Sequence, residues 1–347
     1  MPSSKSGLAY VAKPVTELDA SERAAWIALV DRYPDNRRAF MSLAYADAVA
    51  AVNASAIVMV VYEDTQPVAF LPLQRRPDIA GRCGVYEPIG GVMSDYFGLV
   101  SHPDFHLDMP SALRACRLPA VAFTHLETAQ LQRGLPAEQP RTGLQTVIEP
   151  PVDEFWARLR QMDKKFVSDT ERRERKLATD HGEVRFVLES DRTEADLATL
   201  VALKCGQYER TSKQQAPLFE QHNVALLQQL LAARSPQCSG VLSTLKCGER
   251  LVAAHFGLRC HETLHYWFPV YDPAFSSYAP GRILFRHVLE AVAQQGVTVI
   301  DRGEGDTPAK RDFANREHQF YRGLWSAGNV RSAGARAVLS LLWRLGR

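Results

Sequence analysis

The stretch HETLHYWFPVYDPAFSSYAPGRILFRHVLEAVAQQGVTVIDRGEGDTPAKRDFANR, residues 261–316, carries the pattern from which the fold is read. Residues 264–270 form an apolar block with the length and composition of a buried strand. Asp272-Pro273 and Pro280-Gly281 punctuate the loop that follows. From Gly281 onward Ile283, Leu284, His287, Val288, Ala291 and Val292 recur at helical spacing, and Gly296 fits the C-terminal stop. Residues 297–300 are a short β-branched strand. At its carboxyl end lies 301–310, a Gly-rich acidic loop closed by a lysine. In open α/β sheets that edge is where ligands bind, so the chemistry is expected there.

The same reading extends to the rest of the chain. Residues 8–15 read as a strand and 20–33 as a helix with Ser21 as its cap. A second helix spans 40–53, and strands 56–62 and 68–73 form a hairpin about the turn 63–66. Residues 81–98 are irregular and Gly-rich, with the cluster GGVMSDYFG. Strands are expected at 118–126 and 142–148. Glu149-Pro150-Pro151 breaks the chain. Beyond it, helices read at 152–162, 164–181, 193–210 and 218–233, and strands at 183–188, 240–245 and 251–258. The hairpins 58–73 and 240–258 echo one another, as a duplicated domain would. The expected division is 1–150, 151–330 and a tail, 331–347.

A chain of 347 residues is long enough for two domains of ordinary size, and 46% hydrophobic with 23% charged residues is a soluble globular composition. A formal net charge of +2 argues against a general DNA-binding role, which leaves a larger basic excess. Six scattered cysteines show no CxxC pair and no zinc spacing, so no metal is expected and the thiols read as reduced. The N-terminus lacks the apolar core of a secretory signal, and no run of 18 apolar residues occurs. The expected location is the cytoplasm.

Four segments resemble the GNAT-superfamily proteins of the CelD/BcsL type, whose acyltransferase domain is related to the FemAB peptidyltransferases. They are RRERKL (172–177), AAHFGL (253–258), YDPAFSSYAPGRIL (271–284) and IDRGEGDTPAKRDFAN (300–315). PVAFLPL and GGVMSDYFG in the first half are similar to the same family. The resemblance covers roughly residues 20–325. It implies an α/β (α+β mixed sheet) fold made of two tandem GNAT-like acyltransferase folds. It also implies acyl transfer near exopolysaccharide or cellulose biosynthesis, with acyl-CoA or acyl-carrier protein as donor.

Acyl transfer from a thioester needs a carrier site, an oxyanion donor, an oriented nucleophile and a base. No Cys or Ser with a fitting partner stands out, so direct attack by the acceptor is the simplest route. The resemblance sets the carrier's pyrophosphate at the loop 272–282, with Ala279, Gly281, Arg282 and Arg286 as candidates. That loop has one glycine where GNAT enzymes have a Gly-rich loop, a departure that favours a different donor. The catalytic candidates are Asp301, Lys310 and His255. The resemblance matches Lys310 to the FemAB lysine, with Ala309 where the family has an aromatic. Asp95, Tyr96, Trp267, Tyr271, Glu304 and Asp306 are candidates for substrate binding, and a strand irregularity is expected near Pro269. Plain structural readings stand beside these: a helix-start turn for Pro280-Gly281, turn chemistry for the acidic trio, core packing for Trp267 and His255.

Two further stretches have partners as their readings. Residues 164–176 hold six basic and three acidic residues, a solvated helix or a guide for a phosphorylated ligand such as a nucleotide sugar, a lipid-linked saccharide or tRNA. In the tail, Val338, Leu341, Leu342 and Leu345 fall at helical spacing among Arg331, Arg336, Arg344 and Arg347. That helix packs on protein or lies at the inner membrane surface. The function expected is transfer of an acyl, chiefly acetyl, group to an amine or hydroxyl of a saccharide or envelope precursor. The alternatives are a tRNA-dependent aminoacyl transferase and a silent scaffold of a polysaccharide synthase.

Overall fold

The computed structural model describes residues 7–211, 213 and 216–344. Leu345 and Arg347 of the expected tail helix lie outside the described residues. The strands are β1 (Leu8–Pro14), β2 (Ala56–Glu63), β3 (Gln66–Arg75), β4 (Val85–Pro88), β5 (Val100–Ser101), β6 (Ala120–Glu127), β7 (Glu138–Val147), β8 (Val184–Val187), β9 (Ser239–Cys247), β10 (Arg250–Cys260), β11 (Thr263–Tyr271), β12 (Val299–Glu304) and β13 (Arg316–Ser326). The architecture is mixed α/β.

The chain divides into two compact units. The first is Met1–Thr142 with His318–Arg347, and the second is Gly143–Glu317. The cut thus falls some eight residues before the Pro150-Pro151 break, and the chain after 317 returns to the first unit.

Each unit follows one plan. In the first, β1, β2, β3 and β4 are successive antiparallel neighbours, β6 joins β4 in parallel, and β13 closes antiparallel on β6. In the second, β8, β9, β10 and β11 are antiparallel, β12 joins β11 in parallel, and β7 pairs antiparallel with β12. The hairpins that echo in sequence, β2/β3 and β9/β10, occupy the same step of this plan. The closing strand of each unit comes from a different part of the chain than sequence order would give.

Local chemistry accounts for the elements. The helix Ala20–Arg32 is capped by Asp19, not Ser21: Asp19 accepts from the Glu22 N–H at 2.9 Å and Glu22 accepts from the Asp19 N–H at 2.7 Å. That reciprocal pair satisfies two orphan donors at once, which Ser21 inside the helix cannot do. In the second unit the helix Pro280–Gln294 buries Ile283, Leu284, Val288, Leu289 and Val292. They pack with Leu264, Tyr266, Ile300 and Phe313 in one core. Each such aliphatic side chain contributes about 1.5–3 kcal/mol by leaving water, which holds helix, β11 and β12 as one frame. Among the described residues no helix is long and apolar enough to cross a membrane.

Candidate active site

The site is built where β11 and β12 part. Their parallel pairing covers three rows only, Thr263–Val299, Leu264–Ile300 and His265–Asp301. Beyond these rows β11 runs on to Tyr271 and β12 to Glu304 without shared partners. A register shift accompanies the parting: Phe256 faces Phe268, whereas Leu258 faces His265, so β11 carries an extra residue at Tyr266–Trp267. The irregularity expected in the region Trp267–Pro269 thus lies at its N-terminal edge, Tyr266–Trp267. Gly257 explains its position. A Cβ there would sit 2.5 Å from the His265 carbonyl oxygen and 2.6 Å from the His255 ring. Only glycine lets the bulged strand approach so closely.

His255 is fully buried, with its ring stacked on Tyr266 and its Nδ1 3.4 Å from the Ser243 hydroxyl. Burial first, then the charges of His265 and Arg302, hold its pKa well below the ordinary histidine value. Burial and the lowered pKa favour the neutral ring, and the stack on Tyr266 matches the core-packing reading set beside the catalytic one. Trp267 is half-buried against Phe268, ring centroids 4.5 Å apart. Tyr271, at the end of β11, is exposed.

Asp301 is buried at the last paired row. It accepts from the Gly303 N–H at 2.7 Å and from Gln145 Nε2 at 2.7 Å, and it faces His265 Nδ1 at 3.6 Å. These bonds fix the turn into 301–310 and give the carboxylate a positioning role. In that loop Thr307 caps the short helix Pro308–Arg311, and Lys310 reaches back to donate to the Glu304 carbonyl at 2.7 Å. Arg302 lies over the Phe285 ring, 4.4 Å to the centroid, and donates to the Lys310 carbonyl at 3.1 Å. Asp306 is exposed and held by both arms of Arg311 at 2.6 Å, which lowers its pKa. It is a surface ion pair rather than an open carboxylate.

A residue that sequence reading missed stands beside β11. Lys204 donates its ammonium to the Pro269 carbonyl at 2.8 Å, on the diverging half of the strand. Burial first, then the charges of Lys213 and Lys310, bring its pKa down to about 8. A signal for it existed. Leu197, Leu200, Lys204 and Tyr208 fall three, four and four residues apart, and Leu197, Leu200 and Tyr208 are buried. A lysine on the apolar stripe of a helix needs a reason to be there.

The loop 272–282 is a 3-10 turn, Pro273–Tyr278, then Ala279 in the left-handed region at φ +51° as the cap of the helix Pro280–Gln294. A Cβ on Gly281 would lie 4.0 Å from the Tyr271 ring. The two arginines beyond are already matched. Arg282 donates to Asp312 at 3.0 Å and covers the Phe166 ring, and Arg286 donates to Glu174 and Glu290, each at 3.1 Å. Glu174 and Asp169 belong to the charged helix Lys164–His181, so part of that helix's charge is spent on the loop.

Asp95 and Tyr96 belong to the first unit. Tyr96 is buried there between Phe40 and Phe320 and beneath the Arg38 guanidinium at 5.2 Å. Its ring is core structure. Asp301, Glu304, Lys310, Trp267 and the missed Lys204 all lie in the second unit, around β11 and β12. Among the described residues no group of His, Cys, Asp and Glu is placed to hold a metal ion.

The site thus combines parallel strands that part, a bulge on the longer one and the start of the helix Pro280–Gln294. Residues 164–311 match the GNAT acetyltransferase domain. That span takes in the charged helix, the whole β8–β12 sheet and the loop up to Arg311. No curated protein matches the chain. Among solved structures, the chain is similar to FemX, with a TM-score of 0.57 at 13% identity, covering 86% of this chain and 95% of that one. It is similar to the C-terminal domain of a putative lysylphosphatidylglycerol synthetase from Agrobacterium fabrum, with a TM-score of 0.54 at 12% identity over 93% and 97% of the two chains. It is also similar to a tandem GNAT protein from the clavulanic acid biosynthesis pathway, with a TM-score of 0.50 at 14% identity over 93% and 99%. At these identities the likeness is one of fold. The chain is a mixed α/β protein of GNAT-like fold, and its residues 164–311 are similar to a GNAT acetyltransferase domain.

Proposed function

We propose that the chain is an N- or O-acyltransferase of the CelD/BcsL type, working in the second unit. The donor is an acyl thioester, acyl-CoA or an acyl-carrier protein. The acceptor is an amine or hydroxyl of a saccharide or envelope precursor, soluble or lipid-linked. The observation that carries this reading is Lys204 anchored on the Pro269 carbonyl where β11 leaves β12.

In this reading the carrier arm lies along the free edge of β11, and the bulge at Tyr266–Trp267 turns a backbone N–H toward the thioester oxygen. The N-terminus of the helix Pro280–Gln294 receives the carrier's phosphates. The acceptor attacks the thioester carbon and passes its proton to neutral Lys204, whose pKa of about 8 suits a base at ordinary pH. Collapse of the tetrahedral intermediate breaks the C–S bond, and the Lys204 ammonium returns the proton to the departing thiolate. Lys310, held by Glu304, adds positive charge near the developing oxyanion. Lys204→Met should lower kcat for acetyl transfer from acetyl-CoA to an amino-sugar acceptor by about 10²–10⁴. Unchanged turnover in that variant would remove Lys204 from the chemistry.

One observation favours a second donor. Arg282 and Arg286 are ion-paired and so do not supply free charge for a pyrophosphate. An aminoacyl-tRNA donor, as the FemAB resemblance implies, fits that arrangement. Sensitivity of the activity to RNase separates the two donors. A thermal shift with sugars or a partner of the polysaccharide-synthesis machinery, and none with thioesters or charged tRNA, would support a silent binding module instead.

A further inference from the structure

The first unit holds a cavity of about 470 Å³ that the acyl-transfer reading does not use. Arg75 ends β3, Arg82 ends the short helix Ile79–Arg82, Arg117 follows the helix Met109–Ala115, and Arg331 begins the helix Val330–Arg344. All four line the cavity with Tyr86 and Cys83, and no acidic side chain lines it. Arg75 lies over the Tyr86 ring, 5.7 Å to its centroid, and donates to its hydroxyl at 3.4 Å. All four arginines are exposed, and among the described residues none is ion-paired. The contrast within the unit is direct: neighbouring Arg76 is held by Asp78 at 2.6 Å and Glu87 at 3.4 Å.

One detail makes the arrangement costly without a ligand. Arg331 sits in the first turn of a helix, where the dipole disfavours a cation. Four guanidinium groups around a volume of this size therefore leave positive potential that an anion would relieve. Guanidinium forks match phosphate oxygens in pairs, and the volume falls in the range of small-molecule sites.

We propose that this cavity is a second binding site, for a ligand carrying two or more phosphate charges, separate from the acyl-transfer site. The phosphates would come from a soluble diphosphate or from lipid headgroups, since exposed Ile79 and Val330 stand on two of the elements that supply the arginines.

Cys83 provides a local reporter, being exposed in the cavity wall. The full chain is alkylated with iodoacetamide, and labelling of the Cys83 peptide is followed by mass spectrometry. It is compared without ligand, with inorganic pyrophosphate, and with vesicles of phosphatidylcholine containing phosphatidylserine. Pyrophosphate should slow Cys83 labelling in the wild type, and the double variant Arg82→Gln, Arg331→Gln should need about tenfold more for the same protection, the loss of two charge-assisted contacts. Protection by vesicles alone, abolished in the same variant, would assign the phosphates to lipid. An Arg82→Lys, Arg331→Lys variant, which keeps the charge and melts as the wild type does, should retain part of the protection. Absence of protection by either probe, or protection that survives the glutamine variant in full, would overturn the proposal.

Discussion

The His255 imidazole lies flat on the Tyr266 phenol ring, with centroids 3.9 Å apart and planes 8° apart. Both rings are buried, and the stack sits at the extra residue of β11, behind the place where β11 leaves β12. Gly257 makes room for it. Gly257→Ala forces a methyl against the His265 carbonyl and the His255 ring, a backbone contact that cannot rotate away. It should destabilise the second unit by about 1–3 kcal/mol, read as a lower urea midpoint at unchanged slope.

Lys204 should leave a signature in stability as well as in turnover. Its folded pKa, about 8, is below the ordinary lysine value of 10.5. Between these values the unfolded chain binds more protons, so stability rises with pH across that window. Lys204→Met removes the dependence. Urea titrations should show the wild type gaining on the variant as pH rises through the window, by up to about 3 kcal/mol. Parallel curves would mean that Lys204 titrates normally.

The parts of the fold that sequence made legible are those set by neighbours along the chain. The strand, helix and strand of 261–316 follow from apolar spacing, and the two hairpins follow from their polar turns. The closing strands were not legible. Phe320 faces Glu127 and Val299 faces Val147, pairings across more than 150 residues that no local pattern encodes. At the site, 301–310 was visible as a Gly-rich acidic loop. The core packing of His255 was one of two readings of an apolar run, whereas the company of Lys204 was hidden, because it depends on which helix packs over which strand. The ion pairs of Arg282 and Arg286 were equally hidden, since their carboxylates come from the helix Lys164–His181.

Glu174 ties that helix to the helix Pro280–Gln294 through Arg286 and His287, the latter at 2.6 Å. Burial pushes its pKa up, but the His287 hydrogen bond and the charges of His287 and Arg286 prevail and hold it below the ordinary 4.5. Its contribution is complete above that value and is lost as pH falls through the lower folded value. The stability gap between wild type and Glu174→Gln should therefore shrink on acidification from about pH 6 to about pH 3. A gap that widens toward acid would show the carboxylate to be unpaired in solution.

Lys310 and Lys204 act on different species in the proposed reaction, and pH separates them. The wild-type profile of kcat for acetyl transfer should rise with a midpoint near pH 8, following Lys204, and level off above it. Lys310→Ala should lower the plateau and, by removing one of the charges that depress Lys204, move the midpoint upward. A profile whose midpoint stays the same in Lys204→Met would show that another group titrates in the reaction.

The central claim is that an acyl thioester binds where β11 leaves β12. Hydrogen–deuterium exchange of the full chain with and without acetyl-CoA tests it most directly. Binding should protect backbone amides in the bulged half of β11 and in the first turn of the helix Pro280–Gln294, and leave β2 and β3 unchanged. Saturating acetyl-CoA that alters no amide between 265 and 283 would contradict the account.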